Sequence, residues 1–344
     1  MYICIFKIMS MQITENVSLQ PYNTFGIAVK AKRMVLLSNE SDVREFAFKA
    51  QRFEPYLIMG SGANLLFTRD FEGTVALVET KGVKECHRDA EHVVLQVEAG
   101  EIWDDFVRYC VEGGYYGVEN LALIPSKVGS AVVQNIGAYG REVKDVVREV
   151  HAIDLKNGVP ETFDRSSCLF GYRESLFKKH PGRYLITSVL FELGLVPRFY
   201  TEYGDVAAKL KEKGETSIQA VYEVVSEIRR SKLPDVKLLG NAGSFFKNPV
   251  VSAAQWEPLR QQFPMLKGFP QPDGRVKLSA AQLIDSLGWK GKRAGQAGVH
   301  EKQALVLVNY GGATGAEVLA LARNIQADVK RHYGVELEME VIVI

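Results

Sequence analysis

The sequence changes in character near residue 197. Before this position, short apolar runs that end at glycine alternate with few and short helical patterns, which is typical of buried strands joined by tight turns. After it, apolar residues recur every three to four positions over longer segments, which is typical of helices with one buried face. The pattern predicts an α+β protein whose two functional halves divide between residues 197 and 235.

The predicted strands of the first half are short and apolar. They are PYLIMG (55–60), GTVALVET (73–80), HVVLQVEAG (92–100), REVHAIDL (148–155) and YLITSVLFELG (184–194). Residues 102–114 form an amphipathic helical pattern that stops at two glycines. The apolar face of this predicted helix comprises Trp103, Phe106, Val107, Cys110 and Val111.

The second half is predicted to be mainly helical. Helical patterns cover residues 205–213, 217–234, 279–288 and 315–334, and a strand is predicted over residues 304–309. In the last nine residues, ELEMEVIVI (336–344), apolar side chains alternate with mostly acidic ones. Strict alternation predicts a final strand with one buried face.

The charge balance disfavours one class of partner. The 344 residues include 42 Lys and Arg against 41 Asp and Glu, a net charge of +1, whereas nucleic-acid-binding proteins usually carry a basic excess. Hydrophobic residues make up 47% and charged residues 24%, as in ordinary soluble globular proteins. A chain of this length buries enough surface to fold without disulfides or structural metals.

The cysteines and histidines predict no cross-link and no metal site. Cys4, Cys86, Cys110 and Cys168 form no C-x-x-C pair, and the six histidines form no cluster with ligand spacing. We therefore expect reduced thiols in a cytosolic protein.

The N-terminal residues predict neither a leader nor a membrane anchor. The apolar run over residues 2–8 is interrupted by Lys7 and is far shorter than the ~20 residues of a membrane span. We interpret residues 1–16 as an extension, with Met9 or Met11 as the physiological start. The expectation is a cytoplasmic protein that does not associate with membranes.

The turn GSGANLLF (60–67) is the first candidate site. Gly60 and Gly62 fit the first two positions of the dinucleotide fingerprint, but Leu65 occupies the third and no crossover helix follows. A Rossmann fold is therefore rejected. Two interpretations remain: a turn whose N–H groups bind phosphate, and a structural turn between strands.

The second candidate is the stretch ENLALIPSKVGSAVVQNIGAYGREV (119–143), which is rich in small and polar residues. Such residues let the backbone approach a ligand and supply amide donors and acceptors. The alternative is an ordinary long loop, although long glycine-rich loops in compact domains are usually functional.

Two single residues stand out further along the chain. Arg173 lies among apolar residues in LFGYRESLFK (169–178) and requires an anionic partner, either a ligand or a structural carboxylate. Ser244 follows a turn in GNAGSFFKNP (240–249) that lacks the G-x-S-x-G pattern of hydrolases. On spacing alone, Ser244 is interpreted as a cap or turn residue.

These motifs, in this order, resemble the UDP-N-acetylenolpyruvoylglucosamine reductase family, in its longer type with a tyrosine loop. The matching segments are YNTFGI (22–27), GSGANLLF, ENLALIPSKVGSAVVQNIGAYG, GYRESLFK, GNAGSFFKNP, KLSAAQLID (277–285), VHEKQALVLVN (299–309) and LEMEV (337–341). The resemblance covers about residues 17 to 342.

The resemblance implies a FAD-binding domain of the vanillyl-alcohol-oxidase type over residues 17–196, with lobes at about 17–80 and 81–196. It implies an α+β substrate-binding domain over residues 197–344, whose last strand returns to the active site. The implied reaction reduces the enolpyruvyl group of a UDP-sugar with NADPH in bacterial peptidoglycan synthesis, by a cytoplasmic monomer that binds FAD non-covalently.

The family pattern also assigns roles to individual residues. The implied FAD contacts are Gly60, Ser61, Gly62, Ala63, Asn64, Leu65, Gly129, Ser130, Asn135 and Gly137. The residues implied near the UDP-sugar are Tyr203, Lys232, Asn248 and Gln303. Two positions depart from the usual pattern: Ser126 replaces a glycine and Val132 replaces a proline, which predicts a slightly different backbone path.

The resemblance implies three catalytic residues: Arg173, Ser244 and Glu340. Hydride transfer to the vinyl carbon leaves negative charge on the adjacent carbon and its carboxylate, which a fixed guanidinium such as that of Arg173 stabilises. Ser244 would then protonate that carbon, and Glu340 would complete the cluster. Without the family pattern, Glu340 would be interpreted as an exposed strand carboxylate.

Two other functions are compatible with the same motifs. One is a flavin oxidase that acts on a small alcohol and forms peroxide, since a fold does not dictate its chemistry. The other is a nucleotide-sugar sensor that has lost turnover, which the presence of Arg173, Ser244 and Glu340 disfavours.

Overall fold

The computed structural model describes residues 11–344. Cys4, Met9 and the apolar run over residues 2–8 lie outside the described residues. Within residues 11–344, no helix is both long enough and apolar enough to cross a membrane.

The described chain forms two compact units that are interleaved in sequence. The first comprises residues 11–17, Ala31–Ser61 and Glu72–Ile228, and the second comprises Ser18–Lys30, Gly62–Phe71 and Arg229–Ile344. The sequence predicted two continuous halves that divide between residues 197 and 235. The C-terminal segment of the second unit begins at Arg229, so residues 197–228 lie in the first unit, and two N-terminal segments belong with the second. Backbone hydrogen bonds explain the difference: the N–H of Asn241 donates to the carbonyl of Thr24 at 3.0 Å, and that of Ile342 donates to Asn64 at 3.0 Å.

The strands of the described chain are numbered in chain order. They are β1 Gln12–Ser18, β2 Lys30–Leu37, β3 Tyr56–Met59, β4 Leu65–Leu66, β5 Phe71–Val78, β6 Val83–Arg88, β7 His92–Glu98, β8 Gly137–Ala138, β9 Arg141–Glu142, β10 Val147–Asp154, β11 Val159–Asp164, β12 Tyr184–Gly194, β13 Gly240–Ser244, β14 Val250–Val251, β15 Gly268–Pro270, β16 Val276–Leu278, β17 Arg293–Ala294, β18 Ala297–Val299, β19 Val306–Asn309 and β20 Ile342–Val343.

The α-helices are numbered in the same way. They are α1 Glu40–Lys49, α2 Trp103–Gly113, α3 Val128–Val133, α4 Leu176–Lys179, α5 Val206–Lys213, α6 Ile218–Lys232, α7 Ala253–Gln262, α8 Ala280–Ser286 and α9 Gly315–Tyr333. The helices and strands together confirm the predicted α+β class.

The first unit is built on two sheets. One has the strand order β1-β2-β5-β3, and the other is a five-stranded antiparallel sheet with the order β11-β10-β12-β7-β6. The predicted apolar face of α2 is buried, which confirms the helix and its orientation. Trp103 and Phe106 of this helix contact Phe191 of β12, with ring centroids 6.0 Å and 4.9 Å apart.

Helix α1 was not predicted, although a local signal precedes it. The side chain of Asn39 accepts a hydrogen bond from the backbone N–H of Asp42 and caps the helix. Only four of its ten residues are buried, so the sequence shows only a weak apolar period. Phe46, which is fully buried, anchors the helix in the core.

The second unit contains an antiparallel sheet with the order β13-β19-β18-β17, a three-stranded sheet β14-β16-β15 and a parallel pair of β20 and β4. The predicted helices α8 and α9 and the predicted strand β19 are confirmed. Helix α9 begins with a capping box between Thr314 and Glu317 and ends at Gly334, whose φ is +65°.

The predicted final strand over residues 336–344 is wrong in extent. Only Ile342–Val343 is a strand, although the buried positions Leu337 and Val341 follow the expected alternation. The backbone of this segment changes partner midway. The N–H of Glu340 donates to the carbonyl of Phe245 at 2.8 Å, whereas that of Ile344 donates to Leu66 at 2.9 Å, so no single ladder forms.

Candidate active site

The GSGAN turn follows β3 and is shaped by a glycine in the left-handed region. Gly62 has a φ of +63°, and a Cβ at this position would lie 2.0 Å from the carbonyl oxygen of Tyr22. Only glycine adopts this φ readily and leaves room for the carbonyl oxygen of Tyr22. Within the described chain, the backbone N–H groups of Ser61, Gly62 and Ala63 donate no hydrogen bond, so the turn presents three consecutive donors.

Gly60 adjoins a cluster of hydroxyl groups at the start of α3. A Cβ on Gly60 would lie 2.8 Å from Oγ of Ser130. That hydroxyl accepts a hydrogen bond from the backbone N–H of Lys127 at 3.1 Å and lies 3.0 Å from Oγ of Ser126. Ser126, which replaces the family glycine, therefore adds a hydrogen bond to a predicted FAD contact. Gly129 packs against Ala99. A Cβ on Gly129 would lie 2.9 Å from the Cβ of Ala99.

Lys127 ties this cluster to the sheet. Its ammonium group is buried, donates to the carbonyl of Val78 at 2.7 Å and forms an ion pair with Glu79. Burial lowers the pKa of Lys127, and the hydrogen bond that its ammonium group donates to Glu79 opposes this shift. The ion pair fixes Lys127, the residue directly before α3.

Asn135, Gly137 and Arg173 lie together in the first unit. The guanidinium of Arg173 donates to the carbonyl of Gly137 at 2.6 Å and to that of Asn135 at 3.5 Å. In return, Nδ2 of Asn135, a fully buried residue, donates to the carbonyl of Gly171 at 2.8 Å. Two of the five guanidinium N–H groups are thus fixed by main-chain acceptors, which sets the plane of the group.

Tyr203 lies against the glycine-rich stretch that precedes β9. Its ring centroid is 6.5 Å from that of Tyr139 in an edge-to-face arrangement, and its side chain is 62% exposed. Nδ2 of Asn120 donates to the carbonyls of Tyr139 and Tyr200, at 3.0 Å and 2.7 Å. This buried amide connects the two segments that carry the tyrosines.

Glu119 is buried beside this amide and predicts a pH effect on stability. Burial raises its pKa above the ordinary value of 4.5, against the opposing hydrogen bond from the N–H of Gly117 and the charge of Arg141. The folded state therefore holds this proton more tightly than the unfolded state, so the contribution of Glu119 to stability is lost as the pH rises above 4.5.

A Glu119→Gln variant cannot titrate and escapes this loss. We expect its free energy of unfolding to gain on the wild type as the pH rises from 4.5 toward neutrality. Urea unfolding at several pH values measures the difference. A difference that stays constant with pH would contradict the prediction.

Ser244 and Glu340 lie together in the second unit. Ser244 ends β13, whose register shifts between Asn241 and Ser244 around Gly243, a residue with a φ of +67°. Such a bulge redirects the side chain that follows it. Glu340 donates its backbone N–H to the neighbouring Phe245, and Nδ2 of Asn64 donates to the carbonyl of Glu340 at 3.0 Å.

The predicted substrate residues of the second unit make mainly structural contacts. Oδ1 of Asn248 accepts from the first N–H of α8, that of Ala280, at 3.0 Å. Gln303 accepts from the N–H of Leu305 at 3.4 Å and lies in the turn that leads into β19, the partner of β13. Lys232 is the last residue of α6.

The structure thus gathers the predicted residues into two groups, one in each unit. Arg173, Asn135 and Gly137 form the first, and Ser244, Glu340 and Asn64 form the second. Within the described residues, no group of three His, Cys, Asp or Glu side chains has the arrangement of a metal site.

Two family models match the chain. The model described as "FAD binding domain" matches residues 31–163, and the one described as "UDP-N-acetylenolpyruvoylglucosamine reductase, C-terminal domain" matches residues 234–344. The UDP-N-acetylenolpyruvoylglucosamine reductase of Pseudomonas aeruginosa is 52% identical over 335 residues, which cover 96% of this chain and 99% of that protein. The chain belongs to the UDP-N-acetylenolpyruvoylglucosamine reductase family.

Other family members support this assignment. The reductase of Chromobacterium violaceum is 46% identical over 342 residues, 98% of this chain and 100% of that protein. The crystal structure of the Thermus caldophilus reductase matches with a TM-score of 0.68 and 25% identity, covering 97% of this chain and 99% of that one. The expected FAD-binding domain and the family assignment are confirmed; the individual site residues stay predictions.

FAD, the cofactor of the family, fits the residues of the GSGAN turn. Three unused N–H donors in succession around the left-handed Gly62 suit a pyrophosphate, which needs hydrogen-bond donors and tolerates no Cβ at close approach. The hydroxyl of Ser61 donates to the carbonyl of Pro125 at 3.4 Å, and that of Ser130 donates to the carbonyl of Lys127 at 3.0 Å, so the backbone N–H groups are the donors left for a ligand at this turn.

Gly60→Ala is expected to weaken FAD binding roughly fivefold. The new methyl group displaces the hydroxyl of Ser130 from the N–H of Lys127, and the loss of such a cap costs about 1 kcal/mol. Titration with FAD, followed by flavin fluorescence, measures the affinity. Gly194→Ala is the control, since a Cβ at this position would lie 3.6 Å from its nearest neighbour, an ordinary van der Waals contact. Equal FAD affinities in the two variants would contradict the prediction.

Two supporting residues were not recognised in the sequence. Lys178 lies inside the GYRESLFK motif, and its ammonium group donates to the carbonyl of Arg173 at 3.0 Å. Asn120 lies inside ENLALIP, where an amide among apolar residues indicates a buried hydrogen-bonding role. In both cases the signal was a polar residue within a motif already identified.

Proposed function

We propose that the protein reduces the enolpyruvyl group of UDP-N-acetylglucosamine enolpyruvate to give UDP-N-acetylmuramate, with NADPH as reductant, for bacterial peptidoglycan synthesis. The observation that carries the proposal is the 52% identity over 96% of the chain to a reductase of this name. We further propose that it acts in the cytoplasm as a monomer, with no nucleic-acid or membrane partner.

The proposed role of Arg173 is to stabilise the developing negative charge. Bound FAD supplies the hydride for this reaction. The enolate that results spreads its charge into the substrate carboxylate, and a guanidinium held in a fixed plane stabilises such charge without reorganising. The hydrogen bonds from Arg173 to the carbonyls of Gly137 and Asn135 support this role, because they hold the group in place before substrate arrives.

The proposed role of Ser244 is to deliver the final proton to carbon. A serine hydroxyl is a weak acid, but a carbanionic centre is basic enough to take its proton. Glu340 is proposed to complete the catalytic set by orienting its neighbours through hydrogen bonds. The main chain of Glu340 is hydrogen-bonded to Phe245 and Asn64. These bonds keep Glu340 close to Ser244, although the two residues are distant in sequence.

The UDP-sugar is proposed to contact Tyr203, Lys232, Asn248 and Gln303. The exposure of Tyr203 supports such a role, since a large aromatic side chain that is 62% exposed is available to a ligand. Lys232 supplies a positive charge suited to a diphosphate.

Absorption spectroscopy of the purified protein tests the function. NADPH is expected to bleach the visible flavin absorption, and the enolpyruvyl UDP-sugar is expected to restore it with formation of the reduced lactyl ether. Bleaching of the flavin by a small alcohol, followed by reoxidation by O2 with release of hydrogen peroxide, would instead indicate a flavin oxidase. Binding of the UDP-sugar without any NADPH consumption would indicate a sensor that lacks turnover.

A further inference from the structure

We propose that Lys178 is a positioning residue that holds the backbone of Arg173 in the conformation required for turnover. The inference rests on the proposed catalytic role of Arg173. It concerns a contact to the main chain of Arg173 rather than to its side chain, and it extends the set of residues on which the reaction depends.

The backbone of Arg173 adopts a conformation that an arginine rarely occupies. Its φ is +54°, in the left-handed region where the Cβ crowds the following carbonyl. Such a residue keeps this conformation only when its surroundings hold it there, and residues of this kind cluster at functional sites. Backbone hydrogen bonds between Gly171 and Glu174, at 2.9 Å and 3.1 Å, close the tight turn in which Arg173 lies.

Lys178 supplies the contact that holds the peptide following Arg173. Its ammonium group donates to the carbonyl oxygen of Arg173 at 3.0 Å and to Oε1 of Gln134 at 2.9 Å. Rotation of the Arg173 backbone to the usual negative φ would turn this carbonyl, so the hydrogen bond favours the observed conformation. Gln134 directly precedes Asn135, which accepts from the Arg173 guanidinium.

Helix α4 fixes the backbone of Lys178. Ser175, which is fully buried, accepts from the N–H of Lys178 at 3.1 Å and donates its hydroxyl to the carbonyl of Val133 at 2.7 Å. The helix is therefore fastened to the end of α3. Lys178 contacts Gln134, and Arg173 contacts Asn135 and Gly137, so the two side chains bind the same stretch of chain, residues 134–137.

Lys178→Met tests the proposal, with Lys179→Met as the matched control. The substitution removes the donor and keeps most of the aliphatic stem, while Lys179 is an exposed lysine on the same helix. We expect Lys178→Met to lower kcat by about 10–100-fold, because a displacement of about 1 Å in a catalytic group has effects of this size. FAD content, thermal midpoint and the KM for NADPH are expected to stay at wild-type values. Lys179→Met is expected to leave kcat unchanged, and Lys178→Arg to restore most of it.

A double-mutant cycle with Arg173→Ala separates this proposal from the proposed function. If Lys178 acts through Arg173, Lys178→Met changes kcat less than twofold once Arg173 is alanine. An equal loss in both backgrounds, or no loss in either, would overturn the proposal. If Lys178→Met does not fold, the cycle is made with Lys178→Gln, and loss of FAD and thermal stability in both variants would also overturn it. Unchanged turnover in Arg173→Ala alone would instead refute the role assigned to Arg173.

Discussion

Replacing Ser244 by alanine is expected to lower the rate of product formation by about 10²–10⁴-fold, the usual contribution of a positioned general acid. The proposed reaction ends with protonation of carbon, which water performs slowly when it has no fixed position. Ser244 lies at the end of β13, directly after a bulge, and its hydroxyl makes no hydrogen bond within the described residues. Its removal therefore breaks no contact that stabilises the fold.

Rates of NADPH consumption and product formation with the enolpyruvyl UDP-sugar measure this effect. FAD content and thermal midpoint are expected to match the wild type. Ser286→Ala is the matched control in the same unit: its hydroxyl contacts Oη of Tyr333 at 2.6 Å, so this change affects stability rather than turnover. Wild-type product formation by Ser244→Ala would rule out Ser244 as the proton donor.

Much of the fold follows from local patterns in the sequence. The strands β3, β5, β7, β10 and β12 lie where apolar runs end in turns, and α2 lies where its apolar period indicates. These features depend on residues close in sequence. The extent of the final strand was predicted wrongly because its hydrogen-bond partners are distant in sequence. One end of the segment bonds to Phe245 and the other end to Leu66.

The interleaving of the two units has the same cause. No feature of residues 18–30 indicates that they pack with a segment more than 200 positions away. The structure shows Nδ2 of Asn309 donating to the carbonyl of Phe25 at 2.9 Å, and Gly240 lying so close to Phe25 that a Cβ would be 2.2 Å from its oxygen. Long-range contacts of this kind leave no periodic signal.

The candidate site was predictable only in part. Arg173 stands out because a cation among apolar residues needs a partner, whereas Ser244 and Glu340 are indistinguishable from turn and surface residues without the family pattern. The left-handed backbone of Arg173 could not be predicted, since arginine has no preference for it. The role of Lys178 follows from that backbone, so it became visible only in three dimensions.

Arg173→Lys is expected to lower kcat by roughly 10²–10³-fold although the charge is kept, a loss typical of removing one preorganised donor from a developing oxyanion. The guanidinium donates to the carbonyls of Gly137 and Asn135 through separate N–H groups while presenting a planar cation. A lysine ammonium is a compact, strongly hydrated charge without this fork, so it cannot keep both carbonyl contacts and the same direction toward a carboxylate.

Steady-state kinetics and FAD content distinguish a catalytic loss from a structural one. Arg183→Lys is the control. The guanidinium of Arg183 pairs with the carboxylate of Asp154 at 2.9 Å, and neither residue is given a role in the reaction. We expect Arg183→Lys to retain wild-type kcat and Arg173→Lys to retain FAD. If Arg173→Lys turned over at the wild-type rate, charge alone would suffice at this position. The planar fork of the guanidinium and its two carbonyl contacts would then have no bearing on catalysis.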